Sequence, residues 1–309
     1  MFREFFARCA IGFFILACTM LEAREIKSSI TGLLDWEKMR IDAELSVDIA
    51  AAGIRLPSGR MQAEEALFSR YFDGVRPFIL SIRLDSATVI RDLVEAGEIP
   101  PELVDTLARQ ADRTYPSYSF NFHTISSRYV IDLKNISSKL VRHKKDAKML
   151  HVINPLPSAA DYTGIIIIAE DTLPVHGRES SAELVPCLFP KIWDTEMNLI
   201  YDKNMTSPNR DASFAMVHYT GIDGIVQDTP SGLSEDLQKI VGDKPLRIIA
   251  RGIFGINPTD PIIEREDALI ILSSEKNKRL LKEGRIAFIV KAAALSEDLE
   301  KHETNFILR

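Results

Sequence analysis

The feature that most constrains the fold is a strict alternation of apolar and polar residues between Met39 and Ile49. Six apolar side chains occupy every second position, and charged or hydroxyl side chains occupy the positions between them. Because successive side chains of a β-strand point to opposite faces of a sheet, this pattern predicts a strand with one face buried and the other in water. A sheet with one covered face is therefore expected in the first part of the chain.

Other local patterns in this part predict helices and strands around that strand. Good helix formers, capping residues and a Pro-Pro pair mark the helices, and alternating or clustered apolar residues mark the strands. The predicted elements are a helix over Met61–Phe72, a strand over Phe78–Leu84, a helix from Asp85 to Gly97, a helix from Pro100 to Arg113, a strand over Tyr129–Leu133 and a helix over 134–149.

The second part of the chain is predicted to contain a fully buried strand. Residues Gly164–Ala169 (GIIIIA) form a nearly continuous β-branched run, which is typical of a strand covered on both faces. The other predicted elements are a hairpin around Thr195–Asn198, a strand over Leu246–Ala250, a helix over Glu264–Glu283, a strand over Ile286–Val290 and a helical tail over Lys291–Arg309.

These elements predict an α+β protein of two mixed helix and sheet units. The segment Asn154–Ser158 has two prolines in five residues and is the best candidate for a linker. We therefore expect an N-terminal domain over 24–153, a C-terminal domain over 160–290 and the helical tail over 291–309. A length of 309 residues is sufficient for two such cores.

The N-terminus indicates export. A short basic start is followed by an uncharged run of 13 residues, Cys9–Leu21, which is too short for a membrane span of about 20 residues. This pattern predicts a signal peptide over 1–23, cleaved between Ala23 and Arg24. Two alternatives stay open: a lipobox-like sequence that would lipidate Cys18, and a buried or interfacial helix. No transmembrane span is expected in the mature chain.

Charge and cysteine content exclude several classes of protein. The net charge of −6 argues against broad binding to nucleic acid. Cleavage after Ala23 would remove two of the three cysteines and leave Cys187, so neither a disulfide framework nor a four-cysteine zinc site is expected.

Catalytic motifs are missing from the sequence. It contains no G-x-S-x-G nucleophile turn, no phosphate-binding P-loop and no H-E-x-x-H pair. The pair His176 and Cys187 is weak support for a metal, and Glu170 and Asp171 are more simply explained as solvated residues after a strand. We therefore expect no enzyme activity, no metal and no cofactor.

One cluster of basic residues is a candidate surface for an anionic partner. Spacings of three and four residues place several of its members on one helical face. The simpler explanation of the cluster is a solvated helix face. The functional explanation is that this face binds a lipid headgroup, a peptidoglycan carboxylate or an acidic protein. The cluster consists of Lys139, Arg142, Lys144, Lys145 and Lys148.

The second half also resembles a known family. The segments Tyr162–Ala169, Leu184–Ile192 and Asp260–Val290, with Asp194 and Tyr201, are similar to a block of bacterial envelope lipoproteins that include flagellum-associated outer-membrane lipoproteins. The resemblance covers about 160–290; it departs from the family at Ile168–Glu170 and through an apparent insertion over 172–183. It implies small α/β domains with assembly or scaffold roles and no known catalytic residues.

The sequence thus predicts an exported envelope protein, in the periplasm or on the periplasmic face of an outer membrane. Its expected role is structural, binding or assembly, with envelope or flagellar proteins as partners and a link to motility as an option. The alternative is a periplasmic hydrolase that uses Glu170, Asp171 or His176.

Overall fold

The computed structural model describes residues 25–141, 148–150, 161–206 and 214–307, and it confirms an α+β protein with two units. The predicted cleavage site at Ala23 and Arg24 and the alternative lipidation site at Cys18 lie outside these residues. Within the described ranges, none of the helices combines the length and the apolar character that crossing a bilayer requires.

The first unit contains four helices and, with the last strand of the chain, six strands. Its elements before residue 141 are β1 (Glu25–Asp35), β2 (Arg40–Asp48), α1 (Arg60–Ser81), α2 (Ile90–Glu95), α3 (Pro101–Arg109), β3 (Asp112–Arg113), β4 (Ser117–Tyr118), β5 (Thr124–Asp132) and α4 (Leu133–Leu140).

The second unit contains three helices and the strands that follow residue 161. Its elements are β6 (Ile165–Ala169), β7 (Leu173–Pro174), β8 (Ser181–Ala182), β9 (Ile192–Asp194), β10 (Leu199–Tyr201), β11 (His218–Thr220), α5 (Glu235–Val241), β12 (Leu246–Ile249), β13 (Gly252–Phe254), β14 (Asp260–Ile263), α6 (Arg265–Ser273), α7 (Glu275–Lys282) and β15 (Ile286–Val290). The last strand, β16 (Ser296–Ile307), leaves this unit.

The sheet of the first unit is antiparallel and has the order β16-β1-β2-β5-β3, with β4 also paired to β5. Strand β2 confirms the alternation read from the sequence, because Ile41, Ala43, Leu45 and Val47 are buried and the residues between them are not. Helix α1 contacts β1, β2 and β5. It supplies the buried layer that the apolar face of β2 requires.

The strand predicted over Phe78–Leu84 is wrong, because α1 continues through Pro77 to Ser81. Buried residues at Leu67, Tyr71, Val75 and Ile79 recur every four positions, which keeps one stripe of the helix against the sheet. Packing of that stripe outweighs the β-branched character of the short apolar run at its end.

The second unit contains a four-stranded parallel sheet of order β11-β15-β6-β12 and a four-stranded mixed sheet of order β10-β9-β14-β13. The prediction that Gly164–Ala169 is buried on both faces is confirmed. Ile166 packs with Leu237 and Val241 of α5 on one side, and Ile165 and Ile167 belong to the main core on the other. The predicted helix over 264–283 is two helices, α6 and α7, which are separated at Ser274, the N-cap of α7.

The helical tail predicted over Lys291–Arg309 is wrong. After a single 3₁₀ turn at 292–294, residues Ser296–Ile307 form β16, which pairs antiparallel with β1 from Asp35↔Ser296 to Glu25↔Ile307. Without this partner, β1 would leave its backbone N–H and C=O groups open at the sheet edge, so the pairing outweighs the local preference for helix. The first unit is therefore built from both ends of the described chain.

Candidate functional site

The two units meet at a junction made of backbone and side-chain hydrogen bonds. The amides of Leu188 and Phe189 donate to the carbonyl oxygens of Arg83 (3.0 Å) and Leu84 (2.7 Å). Arg83 itself donates from Nε to the Pro186 carbonyl (2.9 Å), and its guanidinium carbon lies 5.7 Å from the centre of the Trp36 ring. These contacts fix how the second unit sits on the first.

A buried carboxylate lies in this junction. Asp260 is 0% exposed and accepts hydrogen bonds from the Lys191 amide (3.0 Å), the Thr259 hydroxyl (2.9 Å) and the Trp193 indole N–H (3.3 Å). Burial raises the pKa of Asp260 above its ordinary value, although these hydrogen bonds act in the opposite direction. A further hydrogen bond from Ser86 of the first unit makes Asp260 a link between the units.

Cys187 is also part of this junction and is chemically protected. The Tyr219 hydroxyl donates to the Cys187 carbonyl (2.9 Å) and accepts from its amide (3.1 Å), and burial raises the pKa of the Cys187 thiol. A thiol in that environment is not a reactive thiolate. His176, the other residue of the pair that the sequence offered as weak support for a metal, is exposed between β7 and β8. Across the described ranges, no three His, Cys, Asp or Glu side chains are grouped to hold a metal ion.

A cleft of about 720 Å³, hereafter the inter-unit cleft, lies beside the junction. One wall comes from the first unit, through the turn between β1 and β2 and the start of α4. The other wall comes from β11 and α5 of the second unit. Its charged and polar lining includes Glu37, Lys38, Arg40, Lys134, His218 and Asp236.

Lys134 stands out among the cations of the inter-unit cleft. Lys38 pairs with Asp35 (3.1 Å), Arg40 pairs with Asp42 (2.9 Å), and Lys239 pairs with Asp236. Lys134 is half-buried and forms no ion pair within the part of the chain that the structure describes. An ammonium group in this position is suited to receive an anionic group from outside the chain.

His218 lines the inter-unit cleft together with Lys134. Burial lowers the pKa of His218 to about 4, and the positive charge of Lys134 contributes to the same shift. The imidazole is therefore neutral at pH 7 and can offer one hydrogen-bond donor and one acceptor. Thr220, two residues further along β11, donates to Glu37 (2.9 Å) across the cleft. The inter-unit cleft thus brings a neutral imidazole, a hydroxyl and an ammonium group together around one space.

The charge of Lys134 should be measurable through His218. In an NMR titration of the full chain, we expect the His218 pKa near 4 and a higher pKa in Lys134→Gln, because one unfavourable charge is removed. The unfolded-state pKa is about 6.5, so the unfolded state binds this proton more readily and stability falls as pH drops from about 6.5 to 4. An unchanged His218 pKa in Lys134→Gln would show that the two groups do not interact.

The residues assigned to a hydrolase lie in different surroundings. Glu170 is half-buried and lines a neighbouring cavity of about 410 Å³ at the carboxyl ends of β6, β11 and β15, which shares Glu37 and Asp223 with the inter-unit cleft. Asp171 and His176 are exposed. Neither of them lines this cavity or the inter-unit cleft.

Two of the five residues of the predicted basic surface, Lys139 and Lys148, lie within the described ranges. Lys139 is on α4 and donates to the Gln110 side chain (2.6 Å), and Lys148 is exposed. Arg142, Lys144 and Lys145 lie outside the described residues. Sequence reasoning missed Lys134, which is close to this cluster in sequence, and it assigned no role to His218.

The comparisons with known proteins divide the chain in the same way as the fold. Residues 27–139 match the family model of the N-terminal domain of Treponema pallidum Tp0624, and residues 164–292 match that of its second domain. A comparison with curated proteins found no match. Strand β16 lies beyond both matched ranges. The two units of this chain are therefore similar, in the same order, to the N-terminal and second domains of a bacterial protein family, that of Treponema pallidum Tp0624.

Proposed function

We propose that the protein is an exported component of a bacterial cell envelope with a binding or assembly role. The signal-like segment at 1–23 supports export to the periplasm or to the periplasmic face of an outer membrane. The similarity of both units to a bacterial family agrees with this proposal. A link to motility, with flagellar proteins as partners, is its finer form and rests on the lipoprotein-like block at about 160–290.

The observation that carries the binding role is Lys134 in the inter-unit cleft. Its ammonium group is half-buried between two units whose relative position is fixed, and no carboxylate of the described chain pairs with it. A carboxylate or another anionic group of an envelope partner would compensate this charge. The neutral His218 beside it would donate a hydrogen bond to the same anionic group. It would not place a second positive charge next to Lys134.

The test is a crosslinked pull-down of the tagged full chain from native envelopes. We expect recovery in an assembly with envelope proteins, and recovery reduced about tenfold by Lys134→Gln, because a charge-assisted hydrogen bond is lost. Lys244→Gln, an exposed lysine outside the cleft, is the matched control and should change nothing. The mass of the N-terminal peptide would identify a free Arg24 or a lipidated Cys18.

Two results would overturn parts of this proposal separately. Equal recovery of the same partners by Lys134→Gln and Lys244→Gln would remove the cleft as the binding site. Elution of the native protein as a lone monomer, without partners, would remove the assembly role.

The alternative of a periplasmic hydrolase has one supporting observation. Glu170 lies at the carboxyl ends of parallel strands, where open α/β sheets commonly bind their ligands. Loss of a hydrolytic activity in Glu170→Gln, with unchanged folding, would favour this alternative over the binding role.

A further inference from the structure

A second concave surface lies in the first unit, away from the inter-unit cleft. It is an open groove of about 440 Å³ between α1, the end of α3 and the edge strand β3. We call it the arginine groove. Its lining combines aromatic rings, two alanines and two arginines, and contains no acidic side chain: Phe68, Tyr71, Phe72, Ala108, Arg109, Ala111, Arg113 and Tyr129.

The two arginines are held by the aromatic rings of α1. The guanidinium carbon of Arg113 lies 4.0 Å from the centre of the Phe68 ring, and that of Arg109 lies 4.6 Å from the centre of the Phe72 ring. Phe68 and Phe72 are four residues apart, so they lie on one face of the helix, about 5–6 Å from each other at Cβ. Stacking on a ring occupies the face of a guanidinium and leaves its N–H edge free to bind.

Neither arginine is neutralised by the described chain. Both side chains are exposed, and neither forms an ion pair within the described residues. An ion pair between α1 and α3 joins Arg76 to Asp105 (3.6 Å), and neither residue lines the groove. Two neighbouring positive charges repel each other, and an anion placed between their N–H edges would reverse that repulsion.

Tyr129 supplies a third polar group at the base of the groove. It is 3% exposed, and its ring stacks on Tyr71 with 3.8 Å between ring centres. Its hydroxyl is buried, and its polar neighbours are the Ser127 hydroxyl, a hydrogen-bond partner, and the Arg113 guanidinium. Arg113 is the register partner of Tyr129 across β3 and β5, so the two side chains share one face of the sheet.

This base is rigid, because Tyr71 is itself anchored. The Tyr71 hydroxyl donates to the carbonyl of Ala108 at the end of α3 (2.9 Å). Burial raises the pKa of Tyr129, so its hydroxyl stays protonated at neutral pH and available as a donor. An anionic acceptor at the base of the groove would give this buried hydroxyl a charge-assisted hydrogen bond.

We propose that the arginine groove binds a small organic anion, a carboxylate or phosphate carried on an apolar body. Arg109, Arg113 and the Tyr129 hydroxyl hold the anionic group. Phe68 and Phe72 contact the apolar body. The volume of the groove is in the range of small-ligand sites. The site is independent of the inter-unit cleft and of the proposed envelope partner.

Calorimetric titration of the full chain with defined probes tests the chemistry. Phenyl phosphate and 3-phenylpropionate should bind. Inorganic phosphate, which has no apolar body, and benzyl alcohol, which has no charge, should each bind at least about tenfold more weakly. Vesicles with phosphatidic acid distinguish a lipid source from a soluble ligand: binding to vesicles that phenyl phosphate displaces indicates the headgroup of a lipid in the same groove.

Variants locate the binding to the named residues. Arg109→Gln and Arg113→Gln should each weaken phenyl phosphate binding about tenfold, and Arg113→Lys less, because lysine keeps the charge but not the planar fork. Tyr129→Phe keeps the stack on Tyr71 and should weaken binding about fivefold. The matched control is Arg91→Gln, an exposed arginine on α2.

If the native chain binds neither organic anion, or if Arg109→Gln and Arg113→Gln bind as Arg91→Gln does, the groove is not an anion site. The urea midpoint of each variant is recorded with the titration. A loss of binding counts only for variants that unfold at the same midpoint as the native chain, and Tyr129→Phe and Arg113→Lys are the most conservative of them.

Discussion

Replacing Asp260 by Ala is expected to lower the free energy of unfolding by about 4 kcal/mol. The substitution removes a fully buried carboxylate that accepts hydrogen bonds from the Lys191 amide, the Thr259 hydroxyl and the Trp193 indole N–H. Each buried donor left without a partner costs about 1–3 kcal/mol. Urea unfolding followed by tryptophan fluorescence measures this loss directly.

Two companion variants separate the hydrogen bonds from the charge. Asp171→Ala removes an exposed carboxylate and should change stability by less than about 0.5 kcal/mol. Asp260→Asn keeps one acceptor oxygen and should cost less than Asp260→Ala. A loss below about 1 kcal/mol for Asp260→Ala would contradict the role of this carboxylate as a link between the units.

Asp260 should also give the stability a recognisable pH dependence. Because its pKa is raised in the folded state, the folded protein holds this proton more tightly than the unfolded chain does. Its contribution to stability is therefore complete below its ordinary pKa of 3.8 and is lost as pH rises through the raised value. The native chain and Asp260→Asn, compared over this pH range, should differ in slope with that sign.

Removing residues 296–309 should unfold the first unit, with a loss of more than about 5 kcal/mol. The deletion removes β16 and with it ten register pairs to β1, whose edge then becomes free. A free edge strand also pairs between molecules, so the truncated chain is expected to aggregate. Circular dichroism and size-exclusion chromatography measure the two effects.

A chain that ends at residue 307 is the control for this deletion, because it retains all ten pairs. Addition of a synthetic peptide of residues 296–309 should restore the truncated chain if β16 acts as a strand. An unchanged urea midpoint after deletion would show that β1 does not depend on β16.

The elements that the sequence predicted well are those that depend on local periodicity. The alternation at 39–49 and the β-branched run at 164–169 determine their burial through side chains within one segment. The apolar run Phe78–Leu84 is short enough to suit a helix or a strand, and the burial of Phe78 and Ile79 in the last turn of α1 decides between them. The prediction of a helical tail over 291–309 was wrong because the structure of this segment depends on β1, which is more than 250 positions earlier in the chain.

The candidate sites depend even more on distant contacts. Lys134 and His218 come together only because the second unit docks beside α4, which no sequence spacing indicates. Arg109 and Arg113 were visible in the sequence, but a helix extending to Arg113 was predicted there. The chain instead leaves α3 at Arg109 and enters β3, so both guanidinium groups reach the rings of α1.

The pairing of β1 with β16 has a mechanical consequence. Glu25 and Ile307 are register partners, so the two ends of the described chain lie side by side, and the second unit is inserted between them in sequence. Tension applied at these ends opens the two strands one pair at a time, beginning with the terminal pair. The second unit experiences no force until all pairs between β1 and β16 have separated. The pairing of β16 with β1 therefore protects the second unit from mechanical unfolding.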